Sequence, residues 1–454
     1  MIMIETATPG RLMRSPGVKF FALGFLAVLI LIPLLFVEQL QRERSTRAGE
    51  AIREVMQSWG ADQTVAGPYL VLPYLAEGAG GSAPQRRVAA FLPEQLKVAG
   101  RADAQTLRRS IFDVAVYRGK LDLKAHFKPL SIKDVDAQAL QPLWEEATLV
   151  LQISDVRGIK NRAVAKIGGD EIAFLPTIGP VTPPPAPVGV HAPLRSIDVS
   201  KGFDVDVALD LNGSRALSIS PLGGQSDIAL QSNWRHPSFS GAQLPDDRNV
   251  SDEGFSAAWR IGLLSRSLNQ AFQLRPGAMS ESAFAVNAVS VRFYQPVDIY
   301  QMAARATKYG VLFVGAVFLV VFALEMLSQS HLHVAQYAMV GLALALFYVL
   351  LLSYAEHIGF TRAYLVSAGA TVALVSGYVG LCLQSLWRGV VLAAALGVAY
   401  GLVFLLLRSE DYALLAGATA GFVGLALLML ATLRIDWSGA AIRGEAALQE
   451  PQPS

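Results

Sequence analysis

Residues 309–353 read YGVLFVGAVFLVVFALEMLSQSHLHVAQYAMVGLALALFYVLLLS: two apolar runs, 309–327 and 334–353, around a short turn holding His331 and His333, with Glu325 the one acid. A helix of about 20 apolar residues spans a ~30 Å hydrocarbon core, so this stretch decides that the chain is a membrane protein. Comparable runs follow at 363–383, 389–407 and 412–433, and another stands at 18–37. The expected fold is therefore six transmembrane α-helices, an N-terminal anchor plus a C-terminal five-helix bundle over 309–433, with tails at 1–17 and 434–454.

Of 454 residues 53% are hydrophobic and 16% charged, and the charges are unevenly placed: 58 of the 74 lie within 38–308. That segment reads as a large domain outside the bilayer, inserted between helices one and two. Net charge is +2, with acids and bases interspersed and no basic block, which leaves no case for a nucleic-acid partner. The one cysteine, Cys382, lies in an apolar run, so the inserted domain has neither a disulfide framework nor a cysteine metal cluster. A thiol-free domain fits an oxidising compartment.

The first apolar run follows Arg11, Arg14 and Lys19, exceeds the apolar core of a signal peptide and has no Ala-x-Ala site before Glu38. It reads as an uncleaved anchor, kinked by Pro33. Arg42, Arg44 and Arg47 balance the basic residues before it, and Arg388, Arg434 and Arg443 oppose Arg362 and Arg408. The charge rule thus leans narrowly toward cytoplasmic termini and a 38–308 domain on the outer side of the membrane.

Residues 40–59 show helical spacing, with Ile52, Val55, Met56 and Trp59 on one face, and read as a helix facing the domain core or lying on the membrane surface. The period then becomes two. Leu121, Leu123, Ala125 and Phe127 alternate with Asp122, Lys124 and His126; Phe203, Val205, Val207, Leu209 and Leu211 alternate with polar residues up to Asn212-Gly213. Asn-Gly predicts a hairpin, with 212–214 as a three-residue loop setting Leu217 and Ile219 opposite Leu209 and Val207. Further strands are expected at 148–153, 228–234 and 286–294. A proline-rich stretch, Pro180 through Pro193, divides this mainly β domain near 177–193, either into two lobes or as a long loop across one sandwich.

Phosphate-loop, dinucleotide, nucleophile-elbow and His-Glu-x-x-His motifs are missing, so no catalytic residue, cofactor or metal is assigned. The candidate polar cluster is Glu356, His357 and Glu325. Glu356 and His357 end a membrane helix, but neighbours in a helix do not face each other. Glu325 is expected to reach the interface or meet Arg388 without burial. Gly389 with Ala393, Ala394 and Gly397, and Gly417 with Gly421, suit close helix packing.

Several segments carry a resemblance to a known family: Gly67-Pro68-Tyr69-Leu70-Val71-Leu72-Pro73-Tyr74; Trp234-Arg235-His236-Pro237-Ser238-Phe239-Ser240-Gly241; Gly254 to Trp259; Tyr294 to Tyr300; Arg305 to Tyr309; and His333, Gln336-Tyr337, Phe347-Tyr348 and Glu356-His357-Ile358-Gly359-Phe360. The sequence resembles the CreD inner-membrane, or cell envelope integrity, family over nearly its whole length. The resemblance implies a bacterial inner-membrane protein with a periplasmic domain, linked to envelope stress, colicin tolerance and β-lactam response, and brings no catalytic set. Physically, Gly67, Pro68, Pro73 and Tyr74 read as a bracketed edge strand, and Trp234, His236, Pro237, Phe239 and Gly241 as a rigid loop able to bind. Lys308 and Tyr309 read as interface anchors, with Gln336 and Tyr337 structural.

The expected function is non-enzymatic: a bilayer-held β-rich domain engaging an unidentified envelope protein or ligand. Transport or flipping of a lipid-linked or small apolar molecule through the bundle is the alternative, and an interfacial enzyme using Glu356 and His357 the third.

Overall fold

The computed structural model describes residues 16–78, 83–179, 188–195, 197–266, 268–274, 286–293, 299–328, 331–408, and, beyond these, 418–419, 421–423, 426 and 429. The chain forms two units, one of residues 48–296 and one of the segments before and after them.

In the helical unit, α1 (Pro16–Leu29) is followed by α2 (Leu31–Trp59), whose residues from 48 on belong to the other unit, then α3 (Ile299–Lys308), α4 (Gly310–Met326), α5 (Val334–Ile358), α6 (Phe360–Cys382) and α7 (Leu386–Arg408). The predicted anchor and the helix at 40–59 are parts of one apolar-to-polar run, interrupted only at Ile30. Pro33 has no N–H to offer Leu29, which accounts for the break, and the ring fits the first turn of α2. Among the described residues, four stretches are long and apolar enough to cross a membrane: Lys19–Trp59, Val334–Ile358, Phe360–Cys382 and Leu386–Arg408. The run expected as a straight span at 309–327 qualifies only as a pair, α3 with Leu312–Met326, bent by 47°. The sixth expected span, 412–433, falls mostly outside the described residues, as does Gly417.

Gly359, with φ +79°, turns the chain from α5 into α6, a backbone state that disfavours side chains. Gly389 meets the predicted packing role: a Cβ there would stand 3.1 Å from the Ser376 carbonyl oxygen and 3.3 Å from Gly380 Cα.

The β unit begins with β1 (Gln63–Ala76), β2 (Gln85–Phe91), β3 (Gln95–Arg109), β4 (Phe112–Phe127), β5 (Ala139–Pro142), β6 (Thr148–Ile153), β7 (Val164–Ile167), β8 (Asp170–Ala173) and β9 (Leu175–Pro176). It continues with β10 (Gly189–Pro193), β11 (Phe203–Ser214), β12 (Ala216–Ser220), β13 (Gln225–Ser232), β14 (Pro237–Gly241), β15 (Asp247–Ser251), β16 (Gly254–Gly262), β17 (Ala271–Gln273) and β18 (Val289–Phe293). One sheet runs β15-β16-β13-β3-β4-β11-β7-β8; the other runs β14-β18-β12-β1-β6-β10-β9, with β2 and β5 also on β1 and β17 on β2. A single core joins them, with Tyr69, Leu70 and Leu149 of one sheet and Val98, Leu123, Val207 and Trp259 of the other in one cluster. Strands from before and after the proline-rich stretch interleave in both sheets, which excludes two lobes. Residues 180–187 of that stretch are outside the described residues, but its end is strand β10, paired with β6.

Strands at 121–127 and 148–153 form as predicted, within β4 and as β6, and those at 228–234 and 286–294 appear as β13 and β18. The Asn212-Gly213 hairpin does not form. Asn212, Gly213 and Ser214 continue the ladder on β4, opposite Arg118, Tyr117 and Val116, and Arg215, with φ +54°, then sends the chain into the other sheet as β12. Leu217 and Ile219 therefore face Val291 and Val289 of β18. Gly213 serves close approach: a Cβ would lie 2.3 Å from the Tyr117 hydroxyl.

Nor is Gly67 to Tyr74 an edge strand. β1 has partners on both sides and is buried on both faces, and its ladder to β6 shifts register between Ala66 and Tyr69, where Pro68 has no N–H to contribute.

At the end of β6, buried Asp155 accepts from the Ala61 amide (3.0 Å) and from Arg157 Nε and Nη2 (2.8 and 2.9 Å), while Gln63 Nε2 donates to its carbonyl (3.1 Å). The Arg157 guanidinium outweighs burial and, with the Ala61 and Arg157 amides, holds this carboxyl below the usual carboxylate range. A depressed folded-state value stabilises above the unfolded value near 3.9, and that contribution fades as pH falls through the folded one. Asp155→Asn is expected to lower stability by about 1.5 kcal/mol at pH 7 and by a smaller amount at pH 3, where protonation of the folded carboxyl has begun to remove the contribution. Urea unfolding followed by tryptophan fluorescence at both pH values measures this; an equal deficit at both would refute the ionic contribution.

Candidate functional site

An acid within an apolar helix is costly to bury unless donors surround it, and such residues are the first place to look for function in a membrane bundle. Glu325, in the last turn of α4, has no exposed surface. Lys19 of α1 forms an ion pair with Oε1, the Leu332 amide donates to the same oxygen (2.9 Å), and the Tyr337 hydroxyl donates to Oε2 (2.7 Å). Lys19 Nζ also donates to the Leu332 carbonyl (2.7 Å) and stands 5.6 Å from the centre of the Tyr337 ring. His331 Nδ1 lies 3.8 Å from Oε1 on a side chain that is 72% exposed, so a solvated titratable group touches a fully buried acid.

This corrects the expectation that Glu325 stays unburied and meets Arg388. Arg388 instead donates to the Leu327 carbonyl (3.0 Å), where an α-helix leaves carbonyls unpaired. Tyr337, expected to be structural, is a direct ligand of the carboxylate. Lys19 was legible only as a charge that sets orientation, yet it and Glu325 stand at matching ends of two apolar runs with opposite sign, a pairing signal available in the sequence.

Glu356 and His357 are not brought together. Glu356 lies 3.7 Å from Arg44 Nη1 of α2 and accepts from the Tyr300 hydroxyl of α3 (3.1 Å), whereas His357 is exposed. Successive helical residues point about 100° apart, so one acid inside leaves its neighbour outside. Sequence reasoning missed Gln41, buried in α2, whose Nε2 donates to Thr307 Oγ1 (2.8 Å). His333 caps α5, its Nδ1 accepting from the Ala335 amide (3.2 Å) while Gln336 Oε1 accepts from the His333 amide (2.8 Å). Gln336 Nε2 also donates to Cys382 Sγ (3.2 Å). Lys308 closes α3, exposed, and Tyr309 precedes α4.

In the β unit, the expected binding loop is a strand. Pro237–Gly241 pairs with β18; Trp234 packs edge-on to Phe293 (6.2 Å), and Phe239 edge-on to Phe255 (5.6 Å) and Trp259 (6.1 Å). Gly241 has φ +107°, with no room for a Cβ, which would stand 2.2 Å from the Ala288 carbonyl oxygen. Of the named side chains only His236 is exposed; Trp234, Pro237 and Phe239 are half-buried, the two rings packed against the core. Tyr74 donates to Asp136 Oδ2 (2.9 Å), which Arg87 also reaches (2.7 Å), and Gly67, at φ +131°, allows the Val150 carbonyl to approach.

Comparison with known proteins finds matches over nearly the whole chain. The family described as inner membrane protein CreD matches residues 15–438. Inner membrane protein CreD of Escherichia coli (strain K12) is 32% identical over 427 residues, covering 92% of this chain and 93% of that protein. With apolar helices before and after a large β unit, and with the family match running through all of them, the chain belongs to the CreD family of inner membrane proteins.

Proposed function

We propose that this protein is a non-enzymatic envelope-integrity component whose β unit stands in the periplasm and engages an envelope ligand or partner protein. The observation that carries the reading is the arrangement along the chain: the β unit lies between apolar spans, and the outward face of its eight-stranded sheet carries polar and charged side chains on strand after strand. Such a unit is held near a bilayer while presenting a broad solvated surface. Glu356, engaged with Arg44 and Tyr300, supports a structural rather than catalytic use.

Two measurements test this. Alkaline phosphatase inserted at the exposed turn around Ser110 is expected to be active; fluorescence of a green fluorescent protein at the same place would reverse the orientation. In a strain lacking its own copy and stressed at the envelope, Glu356→Gln/His357→Asn is expected to rescue growth as well as the unaltered chain. Loss of rescue without loss of protein would favour interfacial chemistry.

A specific observation favours transport as the second reading. Among the described residues, the hydroxyls of Ser367, Ser376 and Tyr400 are buried in the bundle without a hydrogen-bond partner. Tyr400→Phe is expected to leave stability equal or higher, since it removes an unsatisfied group. Unchanged stability with lost rescue would shift function into the bundle.

A further inference from the structure

A helix leaves its first amides without partners, and α5 meets this need with a histidine, where serine, threonine, asparagine or aspartate is the usual residue. His333 Nδ1 accepts from the Ala335 amide (3.2 Å), and Gln336 returns the bond by accepting from the His333 amide (2.8 Å). A ring nitrogen accepts only while it carries no proton, so the side-chain half of this cap exists in the neutral imidazole alone. In the imidazolium both ring nitrogens are donors, so turning the ring does not restore the bond, and a positive charge then stands at the positive end of a helix of 25 residues. Histidine changes charge between about pH 5 and 8. His333 is exposed, so solvent protons reach it.

The surroundings offer an imidazolium at this position little in return. Around the turn, α1 contributes Lys19, α4 Glu325, the turn itself His331, and α7 Arg388, whose guanidinium donates to the Leu327 carbonyl. Tyr337 of α5 and, beside Gln336, Tyr378 and Cys382 of α6 complete the titratable groups. Glu325 is the one carboxylate among them, and its oxygens are taken, Oε1 by Lys19 and the Leu332 amide and Oε2 by the Tyr337 hydroxyl. His331 Nδ1 lies 3.8 Å from Oε1, whereas His333 makes no ion pair among the described residues. Lys19 adds repulsion, since its Nζ donates to the carbonyl of Leu332, the residue before His333 (2.7 Å). Gln336, the other half of the cap, also donates to Cys382 Sγ (3.2 Å), which ties the first turn of α5 to the chain's only thiol.

We propose that His333 is a pH-sensitive cap, which releases the first turn of α5 when the side of the membrane holding the α4–α5 turn acidifies. The cap stabilises the neutral ring, so its contribution is present at high pH and is lost as pH falls. With the β unit in the periplasm, this turn lies on the cytoplasmic side, where protons arrive when the bilayer barrier fails. That placement rests on the proposed orientation and suits an envelope-integrity component; the chemistry of the cap does not depend on it.

The test follows Cys382 in the full-length protein in non-ionic detergent with a pyridyl disulfide, a thiol reagent that works in acid as well as in base. Variants are compared at the same pH, so the thiol's own ionisation cancels. His333→Asn keeps a cap that does not titrate. The unaltered protein is expected to react at the His333→Asn rate at pH 8 and about fivefold faster than that variant at pH 5.5, as the loss of one cap implies. His333→Ala is expected to react faster than His333→Asn at both pH values, and His331→Gln, with the cap intact, to keep the pH dependence of the unaltered protein. A ratio of unaltered protein to His333→Asn that stays the same from pH 8 to pH 5.5 would overturn the proposal, as would a pH dependence that His331→Gln abolishes. Detergent removes the distinction between the two sides of the membrane, so the outcome stands apart from the orientation experiment: a titrating cap together with inactive phosphatase at Ser110 would refute the cytoplasmic placement alone.

Discussion

Glu325→Ala is expected to destabilise the helical unit by about 3–5 kcal/mol, because it leaves Lys19 as an unpaired charge among apolar side chains. Lys19→Ala should have a comparable effect, leaving the carboxylate with Tyr337 and the Leu332 amide but no counter-charge. Removing both charges with apolar residues of similar size, Lys19→Met/Glu325→Leu, is expected to recover most of the loss, since the desolvation of both ions disappears with their attraction. Cys382 supplies the readout. It is the chain's only cysteine and lies in α6, so the midpoint of thiol exposure on heating the full-length protein follows this unit and not the β unit. Equal midpoints for the unaltered protein and both single variants would show that the pair contributes nothing; a double variant that loses as much as the two singles together would show that Lys19 and Glu325 act separately.

Gly213→Ala is expected to cost the β unit about 3 kcal/mol, at the upper end of what an overpacked methyl does. The added Cβ would meet the Tyr117 hydroxyl at 2.3 Å, its ring at 2.4 Å and Gln63 Cγ at 2.9 Å. The cost is steric alone, for Gly213 is not among the glycines with positive φ. Gly168→Ala is the counterpart, with φ +60° and open space around the new methyl, so it should show only a backbone penalty of about 1 kcal/mol. Urea midpoints for the two variants separate close packing from turn conformation. A loss at Gly168 larger than at Gly213 would restore the hairpin reading.

That pair of glycines shows where local reading ends. Asn-Gly after an alternating strand is a sound turn signal, but it competes here with three more rungs on β4 and with a turn just beyond them at Arg215. The ladder wins because Asn212 and Ser214 are buried among donors and acceptors they satisfy: the Asn212 carbonyl accepts from Gln63 (2.9 Å), and Ser214 Oγ donates to the Gly60 carbonyl (2.6 Å). Pro68 misled in the same way. A proline suggested an edge, and the interruption it needs is met inside a central strand by a shift of register.

Properties that depend on neighbours along the chain were determined by the sequence itself: apolar runs long enough to span a bilayer, the alternation that gives β4 and β11 one face inward, and the segments shared with the CreD family. Each follows from spacing of side chains on a helix or strand, whose geometry is the same in every protein. What only the tertiary structure decided is which distant partner each group takes: Lys19 rather than Arg388 for Glu325, Arg44 rather than His357 for Glu356, and β4 rather than β12 for β11. Those choices are settled by desolvation and packing between residues far apart in the chain, up to 306 positions for the buried ion pair, where spacing carries no information and only the full set of competing contacts determines which has the lowest free energy.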